Sequence, residues 1–470
     1  MIQYFPKYFT QSAIKVYIAV LVFVTMAFFR HSMSFFWIGF GLIEVMGFFY
    51  FSNKLSKEWQ RYSERMFEKK IFRTSLIIRI IYVLFSYLFY YLMTDKPFEF
   101  GSADALGYHQ VAGWIIEYMK TGELSTYFES MKGNYADAGY PFYLSLVYYI
   151  TGSSILIARI VKALLSAYMS VLIYRLASRN FGENVGRIAA VFAMLMPHFI
   201  YYCGLHLKET EMIFLSVWFL ERVDFLLRSK NYSFKNIILP LLLVGSLFFF
   251  RTVLGAAALF AVVTAVLFSD SRIIHKQKRF FMILWTVLAV GVFLGGTIAQ
   301  EVEAVWQKSG TDAQASNMEW RSQRKGGNEF AKYAGAAVFA PLILTIPFPT
   351  IVNIEYQENQ MMVNGNNYVK NILSFFIIYA FYRIIKEKRL RQNPLLSSFL
   401  ITYLGILALS HFAHSERFHL PALPISIIFA AYGISIFVNK HKKYYSVWLV
   451  FIFFVIVGWS WFKLAGRGLV

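Results

Sequence analysis

Runs of apolar residues about as long as a bilayer's hydrocarbon core is thick recur along this chain. That recurrence constrains its fold more than any other feature. Residues 75–93, "SLIIRIIYVLFSYLFYYLM", carry one charge in nineteen positions, and similar stretches follow to the C-terminus. Over 470 residues, 58% are hydrophobic and 15% charged. A water-soluble domain of that size is excluded, because it could not cover so much apolar surface. The expected fold class is an all-α polytopic integral membrane protein. The first run, Ala13–Phe29, lacks a small-residue cleavage site after it and is read as a retained span. The single cysteine, Cys203, rules out a disulfide or a multi-cysteine metal site within the chain.

Charge asymmetry orients the spans. The loop 53–73, "NKLSKEWQRYSERMFEKKIFR", holds seven Lys and Arg residues and is expected on the cytoplasmic side. The segment 94–139 instead carries Asp95, Glu99, Asp104, Glu117, Glu123, Glu129 and Asp137 against three lysines, and is expected outside. Net charge is +20, but the cations sit in short loops between apolar runs, so no nucleic-acid partner is expected. Counting alternately gives about thirteen spans: Ala13–Phe29, Met33–Phe51, Ser75–Met93, Ser153–Ala177, Arg187–Gly204, Glu211–Leu227, Ile237–Phe250, Thr252–Phe268, Phe280–Ile298, Val369–Tyr382, Leu395–Phe412, Leu420–Val438 and Tyr445–Phe462. Tyr140–Ile150 is too short to cross and is expected to lie at the outer surface, as is the proline-bearing stretch 336–352. The organisation that follows is two N-terminal spans and a basic loop (1–74), a transmembrane core (75–298) with a first outer loop (94–152), a second outer loop (299–368) and a C-terminal bundle (369–470).

Four stretches carry residues suited to chemistry, all placed at the outer rim. In "GSADALGYHQVAGW" (101–114), Asp104 opens a segment whose apolar residues recur at helical spacing, an amphipathic helix lying in the interface. Asp104 is then a helix N-cap, a general base held in fixed position, or both. "GLHLKETEMIF" (204–214) places His206, Lys208, Glu209 and Glu211 at the end of a span, with Glu209 preferred over Glu211 as a site residue. The acids also suit a helix N-terminus with no further role. Arg251, in "LFFFRTVLG", interrupts two apolar runs; it either snorkels to lipid phosphates or grips an oxyanion through its guanidinium. "SHFAHSERFHLPALP" (410–424) returns His411, His414, Glu416, Arg417 and His419 to the same side. Its histidine spacing fits no compact metal motif. No metal site is assigned and no cofactor is certain, with a divalent metal left open. Lys325, in "EWRSQRKGGNEF", belongs to a mobile lid or a solvated loop.

Together these motifs resemble the GT-C fold glycosyltransferases, nearest to the bacterial relatives of protein O-mannosyltransferases and the lipid A aminoarabinose transferase. Asp104, Tyr108 and His109 resemble that family's opening Asp-x-x-x-Tyr-His motif. The stretch from "GYPFYLSLVYYI" to "YRLASRNFG" is similar to its Tyr-Pro to Arg-x-x-Phe-Gly region. "FRTVLGAAAL" resembles its arginine hairpin and "RFHLPALPISIIFAAYG" its Arg-x-x-x-Pro-x-x-Pro segment. The resemblance implies a hexosyl- or pentosyltransferase that moves a sugar from a polyprenyl-phosphate-linked donor to a glycan, lipid or protein acceptor. The reaction would take place on the non-cytoplasmic face of a bacterial plasma membrane, with inversion. Carried over, Asp104 would be the base, Glu209 the second acid, and Arg251, Arg417 and Lys208 the donor-phosphate ligands. Tyr108, His109, His206 and His414 would touch substrate. Two spans precede the region of resemblance; no long terminal soluble domain like that of some members is expected, which would leave acceptor recognition to the outer loops. A lipid-linked polysaccharide polymerase, or a lipid or solute transporter, are the rival readings.

Overall fold

The computed structural model describes residues 2–131, 135–229, 233–268, 311–323, 327–333, 335–410 and 412–470, with isolated positions 280, 284, 287 and 291. Regular structure among them is helical, apart from one antiparallel bridge between Ser32 and Val352. In chain order the helices used below are α1 (Lys7–Ala27), α2 (Phe35–Glu58), α3 (Glu64–Thr94), α4 (Ala103–Thr121), α5 (Leu124–Ser130), α6 (Gly139–Thr151), α7 (Ile155–Phe181), α8 (Glu183–Leu195) and α9 (Pro197–Cys203). They continue with α10 (Glu209–Arg228), α11 (Phe234–Phe250), α12 (Thr252–Phe268), α13 (Thr311–Gln323), α14 (Ala336–Leu342), α15 (Asn364–Lys386), α16 (Pro394–Leu409), α17 (Glu416–Ser435) and α18 (Lys442–Ala465).

Seven of the described helices are long and apolar enough to cross a membrane: α1, α2, α3, α7, α15, α17 and α18. The α8–α9 pair, bent by 43°, makes an eighth if counted as one span. Thirteen crossings are therefore not established. Among the other expected spans, α11, α12 and α16 are shorter than a full crossing, and α10 carries Glu209, Glu211, Glu221, Arg222, Asp224 and Arg228 along its length. Phe280–Ile298 lies largely outside the described residues. The two segments expected to lie flat are a 13-residue helix, α6, and a stretch that is helical only over Ala336–Leu342.

Burial separates centre from rim. The most apolar window of α17 is 94% buried, whereas that of α3 is 28% buried. So α17 runs through the middle of the bundle, and α3 presents Ile77, Ile81, Leu88 and Leu92 outward, as a lipid-facing helix does. α17 packs on α15 and α8, while α7 packs on α3, α8 and α10. The two N-terminal spans are built into this bundle. α2 packs on α8 and α15, and α1 on α18. The Tyr368 and Tyr445 hydroxyls donate to the carbonyls of Ala13 (2.7 Å) and Phe9 (2.9 Å).

The break between α8 and α9 has an identifiable cause and a remedy. Pro197 has no N–H to give the carbonyl of Ala193, and Met196 is extended, so the helix ends. Arg79 of α3, fully buried, supplies the missing donors. It gives Nη2 to Ala193 O at 3.1 Å, Nη1 to Met194 O at 3.1 Å and Nε to Ser166 Oγ at 2.7 Å. A cation inside an apolar bundle is thereby used as a capping group for orphaned carbonyls.

Candidate active site

The loop Gly204–Lys208, which delivers Glu209, is anchored by groups from three other helices. Lys162 of α7 donates to Leu205 O at 2.8 Å and to Leu207 O, and Ser86 of α3 donates to Gly204 O at 3.1 Å. A side chain at Gly204 would collide with Ser86 Oγ, 2.4 Å from its Cβ position, so only glycine lets α3 and this loop come so close. Lys208 donates to Phe250 O at 3.0 Å and pairs with Asp137, which ties the loop to the end of α11 and the start of α6. Fixed this way, Glu209 begins α10 with its side chain fully buried.

Arg417, at the start of α17, joins Glu209 to Asp104. Its Nε donates to Glu209 Oε1 at 2.8 Å and its Nη1 to Asp104 Oδ2 at 2.6 Å. Residues 313 and 208 positions apart in sequence thus meet on one guanidinium, whose planar fork suits two carboxylates at once. The two acids differ in access: the Asp104 side chain is 55% exposed and that of Glu209 is sealed. Arg251 lies close by, with its guanidinium carbon 4.2 Å from the ring centre of Phe418 and its Nη1 buried without a hydrogen-bond partner among the described residues. Glu209 feels the positive charge of Arg417, Arg251 and Lys208.

Asp104 and Arg417 face a cavity of about 690 Å³ lined also by Glu99, Tyr202, Asn367, His414 and Glu416. Glu416 accepts from Tyr202 Oη at 2.9 Å and Asn367 Nδ2 at 3.3 Å. Burial pushes the Glu99 carboxyl above the usual range, with Arg159 opposing the shift. His414 contacts Arg321 of α13.

Several site residues expected from the sequence land elsewhere. Asp104 is not the N-cap of α4. That position is Ser102, and Asp104 sits inside the first turn, where its carboxylate turns to Arg417. Glu211 is buried against Lys162 at 3.5 Å, a partner deep in the bundle. Lys208 spends its ammonium on Asp137 and a backbone carbonyl, and burial lowers its pKa against the pull of Asp137. His206 and His109 flank the Tyr148 hydroxyl, at 3.0 Å and 2.8 Å, and do not line the cavity. Burial lowers the pKa of both. Tyr108 packs edge-on against Tyr140. Lys325 and His411 lie outside the described residues.

Glu99, Tyr202, Asn367 and Lys463 line the cavity without having been singled out in the sequence. Lys463 was legible in principle as a lone cation near the end of an apolar run. Tyr202 and Asn367 carried no such signal. Among the described residues no group of three or more His, Cys, Asp and Glu is placed to share a metal ion. The Arg417 guanidinium already occupies the space between Asp104 and Glu209.

Comparison with known proteins adds a family match over part of the chain. None of the curated proteins matches the chain. Two solved structures are similar to it at 12% identity. One is the archaeal oligosaccharyltransferase AglB from Archaeoglobus fulgidus in complex with an inhibitory peptide and a dolichol-phosphate; the match covers 71% of this chain and 47% of that one, with a TM-score of 0.36. The other is an Archaeoglobus fulgidus oligosaccharyltransferase in complex with Zn and sulfate, matched over 72% and 44% with a TM-score of 0.33. The chain spans less than half the length of either. Residues 138–294, from the start of α6 past α12, match the model of the dolichyl-phosphate-mannose-protein mannosyltransferase family. They include His206, Lys208, Glu209 and Arg251, while Asp104 and Arg417 fall outside. Over that third of the chain, the resemblance to GT-C glycosyltransferases of the protein mannosyltransferase kind is borne out.

Proposed function

We propose that this protein is a membrane glycosyltransferase that moves a sugar from a polyprenyl-phosphate-linked donor to an acceptor hydroxyl, with Asp104 as general base. The observation that carries the reading is the meeting of Asp104 and Arg417 at a cavity, with the sealed Glu209 holding Arg417 from behind. The family match over residues 138–294 supports the same class.

Each role follows from access and charge. Asp104 is exposed to the cavity and takes the proton of the acceptor hydroxyl. The acceptor oxygen attacks the anomeric carbon as the carbon–oxygen bond to phosphate breaks, and the phosphate leaves with the bonding pair. A single displacement inverts the anomeric centre. Charge builds on the departing phosphate, where a fixed guanidinium in a poorly solvated site stabilises it more than water would. Arg417, which lines the cavity, takes that phosphate as its bond to Asp104 loosens on protonation of the base. Arg251, which does not line the cavity, adds positive charge from behind it. Glu209, sealed from the cavity, positions Arg417 rather than touching substrate. The phosphate stays attached to its lipid, so the site opens toward the bilayer, on the non-cytoplasmic side by the charge asymmetry of the loops.

Transfer from a labelled polyprenyl-phosphate-sugar pool by the purified full chain, wild type against Asp104→Asn, tests this reading. Asn still accepts a hydrogen bond from Arg417 but is no base. The expected result is a loss of roughly a hundredfold or more in transfer with an unchanged unfolding midpoint. Normal transfer by the variant removes Asp104 from the chemistry. A lowered midpoint with normal transfer per folded molecule leaves the Asp104–Arg417 pair as a tie between α4 and α17.

A further inference from the structure

The cavity that Asp104 faces has a second charged region, built by the C-terminal end of α18 and the segment 357–360. Lys463 there is 8% exposed. Its Nζ donates to Gln357 Oε1 at 2.8 Å and to Gln360 Oε1 at 2.6 Å. Both acceptors are neutral amides, and among the described residues Lys463 forms no ion pair. An ammonium has three protons to give, so one remains after both amides are served. Two amide oxygens do not neutralise a buried cation, and such a charge is costly without an anion.

One turn earlier on the same helix, Trp459 lies with its ring 5.4 Å from Lys463 Nζ and stacks on Phe462 at 5.2 Å, nearly parallel. The indole Nε1 is buried with no hydrogen-bond partner among the described residues. Trp459, Phe462 and Lys463 all line the cavity, as does Arg467 one turn on. An aromatic face beside an ammonium that meets no anion among the described residues accepts a ring with apolar C–H faces and an acidic substituent. None of these groups has a part in the transfer step above, where Arg251 and Arg417 already serve the donor phosphate.

We infer that this end of the cavity is the acceptor subsite and that the acceptor is an anionic saccharide, its sugar ring on Trp459 and Phe462 and its carboxylate or phosphate on Lys463. The inference rests on the glycosyltransferase reading and adds the acceptor's chemical class to it. It also assigns recognition to the last helix rather than to the outer loops alone.

Binding to the purified full chain tests it. The probes are disaccharides bearing glucuronate, galacturonate or phosphate, each titrated beside its neutral counterpart and followed by tryptophan fluorescence and calorimetry. In wild type at least one charged probe binds roughly tenfold or more tightly than its neutral partner, the scale of one charge-assisted hydrogen bond. Lys463→Gln abolishes that preference, Lys463→Arg restores most of it, and Trp459→Ala weakens charged and neutral probes alike. The titrations contain no sugar donor and read binding alone, so a failure of the proposed base, which is read in transfer, leaves this result unmoved. The inference is overturned if no charged probe is preferred, or if Lys463→Gln keeps the preference. It is also overturned if Lys463→Gln weakens binding of undecaprenyl phosphate while leaving the saccharides alone, which makes the site the donor's.

Discussion

Arg417 holds two carboxylates that have different work to do, and its geometry separates them. Nε faces the sealed Glu209 and Nη1 the exposed Asp104, so one bond is a fixed anchor and the other can open to substrate. A lysine cannot reproduce this, because an ammonium is a point charge without a planar fork. Arg417→Lys is therefore expected to keep the fold but lose transfer by two orders of magnitude or so, read as kcat against an unchanged unfolding midpoint. Glu209→Gln removes the anchor's charge while keeping its shape. Transfer should fall by about tenfold or more as Arg417 loses its fixed orientation, read as kcat against an unchanged unfolding midpoint. An unchanged kcat would make Glu209 a bystander. The types of these residues and their placement at helix ends were legible in the sequence. Their meeting was not, since nothing local in "GSADALG", "LKETE" or "HSERF" states that one guanidinium bridges two of these stretches to the third.

Helix ends and breaks carry much of the rest of the site. The α8–α9 break exists because Pro197 cannot donate, and Arg79 keeps it dry by capping Ala193 and Met194. Arg79→Met leaves two buried carbonyls without donors, a loss of roughly 2–5 kcal/mol, which should appear as a lowered midpoint of thermal unfolding in detergent. A midpoint unchanged in Arg79→Met would show that water reaches those carbonyls. The same region predicts a pH response. His206 is buried, His109 is partly so, and burial lowers the pKa of each. Below about 6.5 the unfolded chain takes up protons that the folded chain refuses, so stability is full above that pH and falls as pH drops. Comparing unfolding midpoints at pH 7.5 and pH 5 checks this: replacing both histidines with glutamine should flatten the difference. Periodicity placed α4 correctly as a helix following Gly101 but misread its first turn. The cap falls two residues earlier, at Ser102, and Asp104 pairs instead with a guanidinium from a distant part of the chain, a charge-assisted bond stronger than one to a backbone N–H.

At the level of the whole molecule, the two N-terminal spans pack into the bundle through α15, α8 and α18. The charge pattern makes a prediction about sidedness. Cys203 is fully buried, so the native chain is a nearly silent background for thiol labelling. Glu123→Cys should react with an impermeant maleimide on intact cells, and Lys57→Cys only after permeabilisation; the reverse pattern would invert the orientation read from the loops. The sequence by itself determined that the chain is a helical membrane protein, where its apolar runs begin and end to within a few residues, and which polar residues stand at the ends of those runs. Those properties follow from hydrophobic length and local charge, which are written along the chain. Only the tertiary structure decided which of those polar residues share a cavity. It paired Glu211 with Lys162 and Lys208 with Asp137, left Glu209 to Arg417, and brought Lys463 to the cavity that Asp104 faces. The reason is physical: a buried charge must find its partner across helices, and which helices are neighbours is set by packing, not by position along the chain.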